Sequence, residues 1–570
     1  MAMSGALISS QYHHTHITRI PAHIGSRRSV QVSCRSSNKW ALQEDLLIET
    51  SHRQTGYNHD GFNSTRFSRL VKDVKHALMT EGNHNLALVD ALQRMGIEHH
   101  FQEEIGSFLQ KEYEESACFL KYQTPFDVSL CFRLLRQQGY HESADVFKKF
   151  KNNDDGTFVL NLSIDVNGLI GLYEAAQLGV EGEHLLDEVA NYSGDHLNAC
   201  LANNDLCVQV QARIIIETLK YPFHKSLASC RAKSFINNFK GINGWGTSTL
   251  QELANIEYSL RKEIHQHELA QVSRWWRNLG LAEELKLVRD QPLKWYTWPM
   301  AMLTDPRMSQ QRIELAKCIS LVYVLDDIFD VYGTVEELTL FTQAVNRWEL
   351  AAMMELPEYM RLPYKTLYDT TNKIGYNIYK AYGWNPTQNL RNTWGSLCNA
   401  FLKEAKWFAS GVVPTVDEYL KNGLVSSGAH VVLVHMFYLL GLGVSSIHLD
   451  NISAMCSSTA MILRLWDDLG SAKDENQEGN DGSYIEYYMK ENKDASLELG
   501  REHVIKLIEE EWKQLNKEHL RLTNQSLGSF SKASLNSARM VPLMYNYDDK
   551  QSLPVLQEYI KSMLYGDLSL

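Results

Sequence analysis

The chain has 570 residues, 44% of them hydrophobic, enough to bury a large core and to favour more than one domain. A net charge of −12 with no basic block argues against nucleic acid as a partner, so any anion bound needs a dedicated site. The nine cysteines form no C-x-x-C pair and no even framework, which predicts buried thiols in a reducing compartment rather than disulfides or zinc.

From Met1 to Gln43 there is no acidic residue, while Arg19, Arg27, Arg28, Arg35 and Lys39 stand among serines and histidines. This composition predicts a transit peptide over residues 1–37 and a plastid destination; a disordered basic tail in a cytoplasmic protein is the alternative. Beyond it the chain reads as helix after helix. In Leu250 to Leu281, apolar residues recur at Leu250, Leu253, Ile256, Leu260 and Ile264, spaced three or four apart with charges between. No alternating strand series appears, and prolines are few, so an all-α fold is expected. The stretch KGINGWGTST (Lys240 to Thr249) is the clearest break, dividing the folded part into helical domains at 38–243 and 244–570. His430 to Val444 is the most membrane-like run, but it is short and interrupted by His435, so it is expected as a buried helix.

Two acidic clusters carry the chemistry. In SLVYVLDDIFDVYG (Ser320 to Gly333), Asp326, Asp327 and Asp330 interrupt an apolar run. On a regular helix Asp326 and Asp330 share a face, with Asp327 about 100° round, so the three converge on one cavity. Burying carboxylates costs several kcal/mol each without partners. No Lys or Arg lies between Cys318 and Asn346, so the local sequence supplies no counter-charge, and hard oxygen donors call for Mg²⁺ or Mn²⁺. In RLWDDLGSAKDE (Arg464 to Glu475), Asp467, Ser471 and Glu475 fall four residues apart on one face. Arg464, one turn earlier, suits a phosphate oxygen. A solvated acidic stripe is the bland reading of either cluster alone.

Together the clusters match the DDxxD and (N/D)Dxx(S/T)xxxE motifs, and their order and separation resemble those of plant class I terpene synthases. The likeness extends to CFRLLRQQGYHESADVF (Cys131 to Phe147) and GLIGLYEAAQLGVEGEHLLDEV (Gly168 to Val189). It implies a C-terminal class I terpenoid synthase fold behind an N-terminal α-barrel-like helical domain, acting as a monomer on a prenyl diphosphate, with no membrane span. It further implies three magnesium ions, held by Asp326, Asp327 and Asp330 on one side and by Asp467, Ser471 and Glu475 on the other. The middle aspartate of the first motif often acts indirectly. Arg289 and Arg464 are then the diphosphate contacts, and Trp298 and Tyr545 the aromatics facing the allylic cation. SSGAHVVLVH (Ser426 to His435) matches the family's broken helix, with Gly428 as the physical reason for a break and His435 as a packed core residue.

Two departures narrow the expectation. The family's R-x-R element appears in VRDQPLKWY (Val288 to Tyr296) with Gln291 in place of the second arginine. The tandem-arginine R-R-x8-W element is missing, because Arg27 and Arg28 precede Trp40 at the wrong distance. Both resemble the subfamily making linalool from geranyl diphosphate and nerolidol from farnesyl diphosphate. A chain-elongating prenyltransferase would show a second DDxxD, a class II cyclase would show D-x-D-D, and a catalytically silent scaffold would release no diphosphate.

Overall fold

The computed structural model describes residues 60–80, 85–152, 158, 165–202, 209–242, 246–286, 288–444, 449–474, 482–523, 527–547 and 552–566. The leader, with Arg27, Arg28 and Trp40, lies outside them. Among the described residues the fold is helical throughout, apart from one isolated bridge between Lys151 and Phe158. The all-α expectation holds.

Two main hydrophobic cores form. One gathers Val89, Phe101, Phe132, Phe147 and their neighbours. The larger gathers Trp295, Trp298, Phe341, Phe437 and Val541, among many others. The helix Thr247–Leu279 begins directly after the glycine-rich break and serves both. Its early residues Leu250, Leu253 and Ala254 pack into the first core, and its later residues Leu269, Val272 and Trp276 into the second. Each fully buried side chain of this kind contributes roughly 1.5–3 kcal/mol, so a rigid helix couples the two halves. Polar contacts add to this: the Asn516 amide donates to the carbonyls of Gln177 and Gly179 at 3.0 and 2.9 Å, and His519 Nε2 lies 3.0 Å from the Gln137 carbonyl.

The structure corrects the expectation that no cysteines pair. Cys118 and Cys131, both fully buried, are joined in a disulfide with a Cα separation of 5.7 Å. Helix packing brings together residues 13 apart in the chain, a spacing that matches no recognised motif. The described Cys200, Cys230, Cys318, Cys398 and Cys456 remain thiols, and burial pushes Cys230 and Cys456 up to about 12.

The apolar run at His430 forms the buried helix Ala429–Leu439, and among the described residues no helix is long and apolar enough to cross a membrane. His435 is fully buried, bonds the Val431 carbonyl at 2.8 Å and stands edge-on to Trp394; burial lowers its pKa to about 4. It is a packed core residue. The break before this helix is where the sequence placed it. The preceding helix Val416–Ser426 stops, and Gly428 takes φ +72°, a conformation that disfavours any side chain. A Cβ there would also stand 2.5 Å from Val322 on the aspartate-bearing helix.

Candidate active site

The helix Ser309–Asp327 carries the first acidic cluster, and its sequence is apolar on nearly every side because it runs through the larger core. Asp326 and Asp327 end it. Asp330 lies in the π-helical turn Ile328–Tyr332 and not in a regular α turn. A widened turn leaves Asp330 short of a full rotation from Asp326, and such turns recur at functional sites. The three carboxylates occupy three environments. Asp327 is 2% exposed, Asp326 is about one-third exposed, and Asp330 is exposed.

A local counter-charge was not legible, yet the structure supplies one from 37 residues upstream. The Arg289 guanidinium donates to Asp326, and its Nε lies 2.7 Å from Asp327 Oδ1, an ion-pair contact without hydrogen-bond alignment. The Arg289 backbone N–H donates to Asp327 Oδ2 at 2.8 Å, and its Nη2 to the Tyr323 carbonyl at 3.3 Å. The guanidinium lies 4.7 Å over the Tyr323 ring. Burial nevertheless pushes Asp327 up to about 6, with Arg289 opposing that shift. Gln291, nearly buried, precedes the helix Pro292–Met302 that carries Trp298.

The helix Asp450–Asp474 carries the second cluster. Asp467 is about one-third exposed and accepts from Arg464 Nη1 at 3.3 Å. Arg464 Nη2 donates to the Ser426 hydroxyl at 3.3 Å, and Ser426 in turn donates to Glu404 at 2.7 Å. Arg464 is thereby tied to the last residue before the helix break. Ser471 belongs to the same helix; its side chain, and Glu475 altogether, lie outside the described residues. Asp468, which sequence reasoning left without a role, accepts from the Tyr419 hydroxyl at 2.9 and 3.0 Å and from the Tyr484 N–H at 3.0 Å. Burial pushes its pKa up to about 7. It ties its own helix to the helices Val416–Ser426 and Tyr484–Glu491. Its apolar surroundings in sequence gave no sign of those partners.

Tyr323 links the aromatic helix to the acids: its ring stands 6.3 Å from that of Trp295, on the helix that carries Trp298, and it lies in the field of both Asp326 and Asp467. Tyr545, ending the helix Gly528–Tyr545, lies in the field of Asp467, Tyr323 and Arg464. Its carbonyl closes on Gly470 of the second acidic helix, where a Cβ would stand 2.5 Å away. The helix break between Ser426 and Gly428 touches both acidic helices, through Arg464 and Val322, and Tyr545 lies against the second of them. Tyr323 was missed because an aromatic one turn before an acidic motif reads as core.

Comparison with known proteins agrees with this geometry. The model of the terpene synthase N-terminal domain matches residues 40–218, and that of the terpene synthase family metal binding domain matches residues 277–514. An (E)-nerolidol synthase from Cannabis sativa is 49% identical over 491 residues, 84% of this chain and 88% of its own. A chloroplastic tricyclene synthase from Antirrhinum majus is 48% identical over 555 residues, 96% of this chain and 93% of its own. The crystal structure of isoprene synthase from grey poplar leaves (Populus x canescens), in complex with three Mg²⁺ ions and dimethylallyl-S-thiolodiphosphate, superposes with a TM-score of 0.80 at 31% identity. It covers 88% of this chain and 97% of that one. Fold and site define an all-helical, divalent-metal enzyme of prenyl diphosphate chemistry. The chain belongs to the terpene synthase family.

Proposed function

We propose that the protein ionises geranyl diphosphate, and farnesyl diphosphate where it meets it, and captures the allylic cation with water to give linalool and nerolidol. The observation that carries this reading is the single arginine Arg289 against the first acidic cluster, with an uncharged, buried Gln291 two residues further on. The similarity to a nerolidol synthase supports it. The comparable similarity to a tricyclene synthase supports a second reading, in which the product is cyclic.

The donor set fits a hard cation. Asp326, Asp330 and Asp467 offer accessible oxygens, and Ser471 and Glu475 complete the set by motif. Bound Mg²⁺, or Mn²⁺ in its place, supplies electrostatic stabilisation of the departing diphosphate. Asp327 acts differently, because it is buried against Arg289 and holds that guanidinium beside the site. Arg464, braced by Asp467 and Ser426, presents the second guanidinium to the diphosphate. The faces of Trp298 and Tyr545 stabilise the allylic cation, a contact worth ~2 kcal/mol when desolvated. Water then adds at the tertiary carbon, where charge concentrates.

Incubating leader-free protein with Mg²⁺ and each diphosphate, followed by chiral product analysis, tests the reading. Linalool and nerolidol are expected as leading products; predominance of cyclic terpenes would refute it. The role given to Gln291 predicts a graded change. Gln291→Arg should hold diphosphate nearer the cation through a charge-assisted contact, allowing recombination at the tertiary carbon and rotation to compete with water. The cyclic minor fraction should rise about fivefold, the effect of ~1 kcal/mol on branching. An unchanged ratio in an active variant would assign product shape to the pocket walls instead.

We also place the mature protein in the plastid, supported by the acid-free leader composition and by the chloroplastic name of a relative matched over 96% of this chain. A fluorescent fusion of residues 1–37 should enter plastids, and cytosolic fluorescence would shift the expected product in the plant toward nerolidol.

A further inference from the structure

Glu404 belongs to neither acidic motif, yet its carboxylate stands behind Arg464. It lies on the helix Thr387–Ser410, which packs against the helix Val416–Ser426. The Ser426 hydroxyl donates to Glu404 Oε1 at 2.7 Å, and the Asn422 amide donates to the same oxygen at 3.0 Å. Both donors are more than nine-tenths buried, which holds the carboxylate in one place. A guanidinium only donates, so Ser426 accepts from Arg464 Nη2, 3.3 Å away. Its lone pair is turned that way because its single proton is committed to Glu404. The same helix makes room for the arginine: the Arg464 stem crosses Gly423, where a Cβ would stand 3.2 Å from Cγ and 3.3 Å from Nε. Asp467 and Asp468 also face the guanidinium, at 3.3 and 3.8 Å. Asp467 is shared with the cation in the reading above, and Asp468 accepts from Tyr419 and Tyr484. Glu404 supports the arginine from outside the metal motif.

We propose that Glu404 is a positioning residue for diphosphate binding: through the Ser426 hydroxyl it aims the Arg464 guanidinium at the diphosphate. The inference rests on the reading of Arg464 as a diphosphate contact given above. With a neutral group at position 404 the Ser426 hydroxyl loses its charge-assisted hold and can turn its proton to a carbonyl of its own helix, as serines in helices do. Arg464 then keeps its charge but loses a fixed direction. A planar fork that meets phosphate oxygens in pairs is sensitive to direction, so the cost falls on diphosphate affinity.

Calorimetric binding of inorganic diphosphate, with Mg²⁺, to the full chain tests this, with the thermal melt alongside. Glu404→Gln keeps the side-chain volume and removes the charge, and it should weaken diphosphate affinity about fivefold while the melt is little changed. Ser426→Ala breaks the link but leaves the Glu404 charge, and it should weaken affinity in the same way. In an Arg464→Ala background neither variant should weaken it further, because the effect runs through that guanidinium. Unchanged affinity in Ser426→Ala would overturn the proposal, and this variant decides alone should Glu404→Gln fold poorly. An equal further loss in the Arg464→Ala background would also overturn it, by showing that Glu404 acts by another route. So would a melt lowered steeply by both variants, which would make the contact a structural one. Arg464→Ala by itself separates the two readings. If it binds diphosphate as the wild type does, the reading of Arg464 fails. If it loses affinity and the other two variants do not, only the role of Glu404 fails.

Discussion

Asp326→Ala should lower turnover in Mg²⁺ by about 10³-fold or more, equivalent to ~4 kcal/mol, while leaving the helical fold intact. The size follows from what the carboxylate does: it is an accessible oxygen donor of the first cluster, about one-third exposed, whereas Asp327 is sealed against Arg289. Fold retention follows from the same contacts. Arg289 keeps its ion pair with Asp327, the bond from its own N–H, and its place over the Tyr323 ring, so the substitution orphans no buried charge. It also removes one of two adjacent like charges, a local relief. Diphosphate release and the far-ultraviolet circular dichroism spectrum are the measurements. Substantial retained turnover, or a lost spectrum, would count against the assignment.

Whatever depends on spacing within one helix was legible in the sequence. The acidic clusters, the break at Gly428 and the core role of His435 each rest on a local pattern whose physical cause is local. Arg289 is the opposite case. Its partners lie 37 and 38 residues away, and nothing in VRDQPLKWY announces that its guanidinium will neutralise the aspartates. The widened turn at Ile328 was likewise hidden, because residue types do not distinguish a π turn from an α turn in an apolar run. The Cys118–Cys131 bridge depends on how one short helix packs against the next. In each case tertiary packing determines the outcome, and a single sequence records packing only through residues that are compatible with it.

The same logic identifies the interaction whose loss should cost the most stability. Glu268→Gln should destabilise the fold by about 3–5 kcal/mol, because it leaves the guanidinium of Arg312 buried with its negative partner gone. Both side chains are completely inaccessible. Arg312 makes paired bonds to Glu268 at 2.7 and 2.8 Å and donates to the carbonyls of Leu303, Asp305 and Pro306, the turn directly after the helix that carries Trp298. Glu268 also accepts from the Tyr296 hydroxyl at 2.7 Å, on that same helix. Since the single phenolic proton goes to Glu268, the neighbouring His265 Nδ1, 2.8 Å away, must donate to Tyr296. Burial depresses the His265 pKa well below its usual range, so this ring is neutral and Glu268 is the only anion facing Arg312 in the cluster. The cluster therefore helps to set where the helix carrying Trp298 stands. Glu268→Gln should lower the melting midpoint by several degrees and also broaden the product profile, as Trp298 loses its fixed placement. The double variant Glu268→Leu with Arg312→Met, which removes both charges, should recover much of the midpoint. An unshifted melt for Glu268→Gln would mean that the pair is no more than neutral. Recovery of the melt without recovery of the product profile would show that the cluster is kept for the position of Trp298 more than for stability.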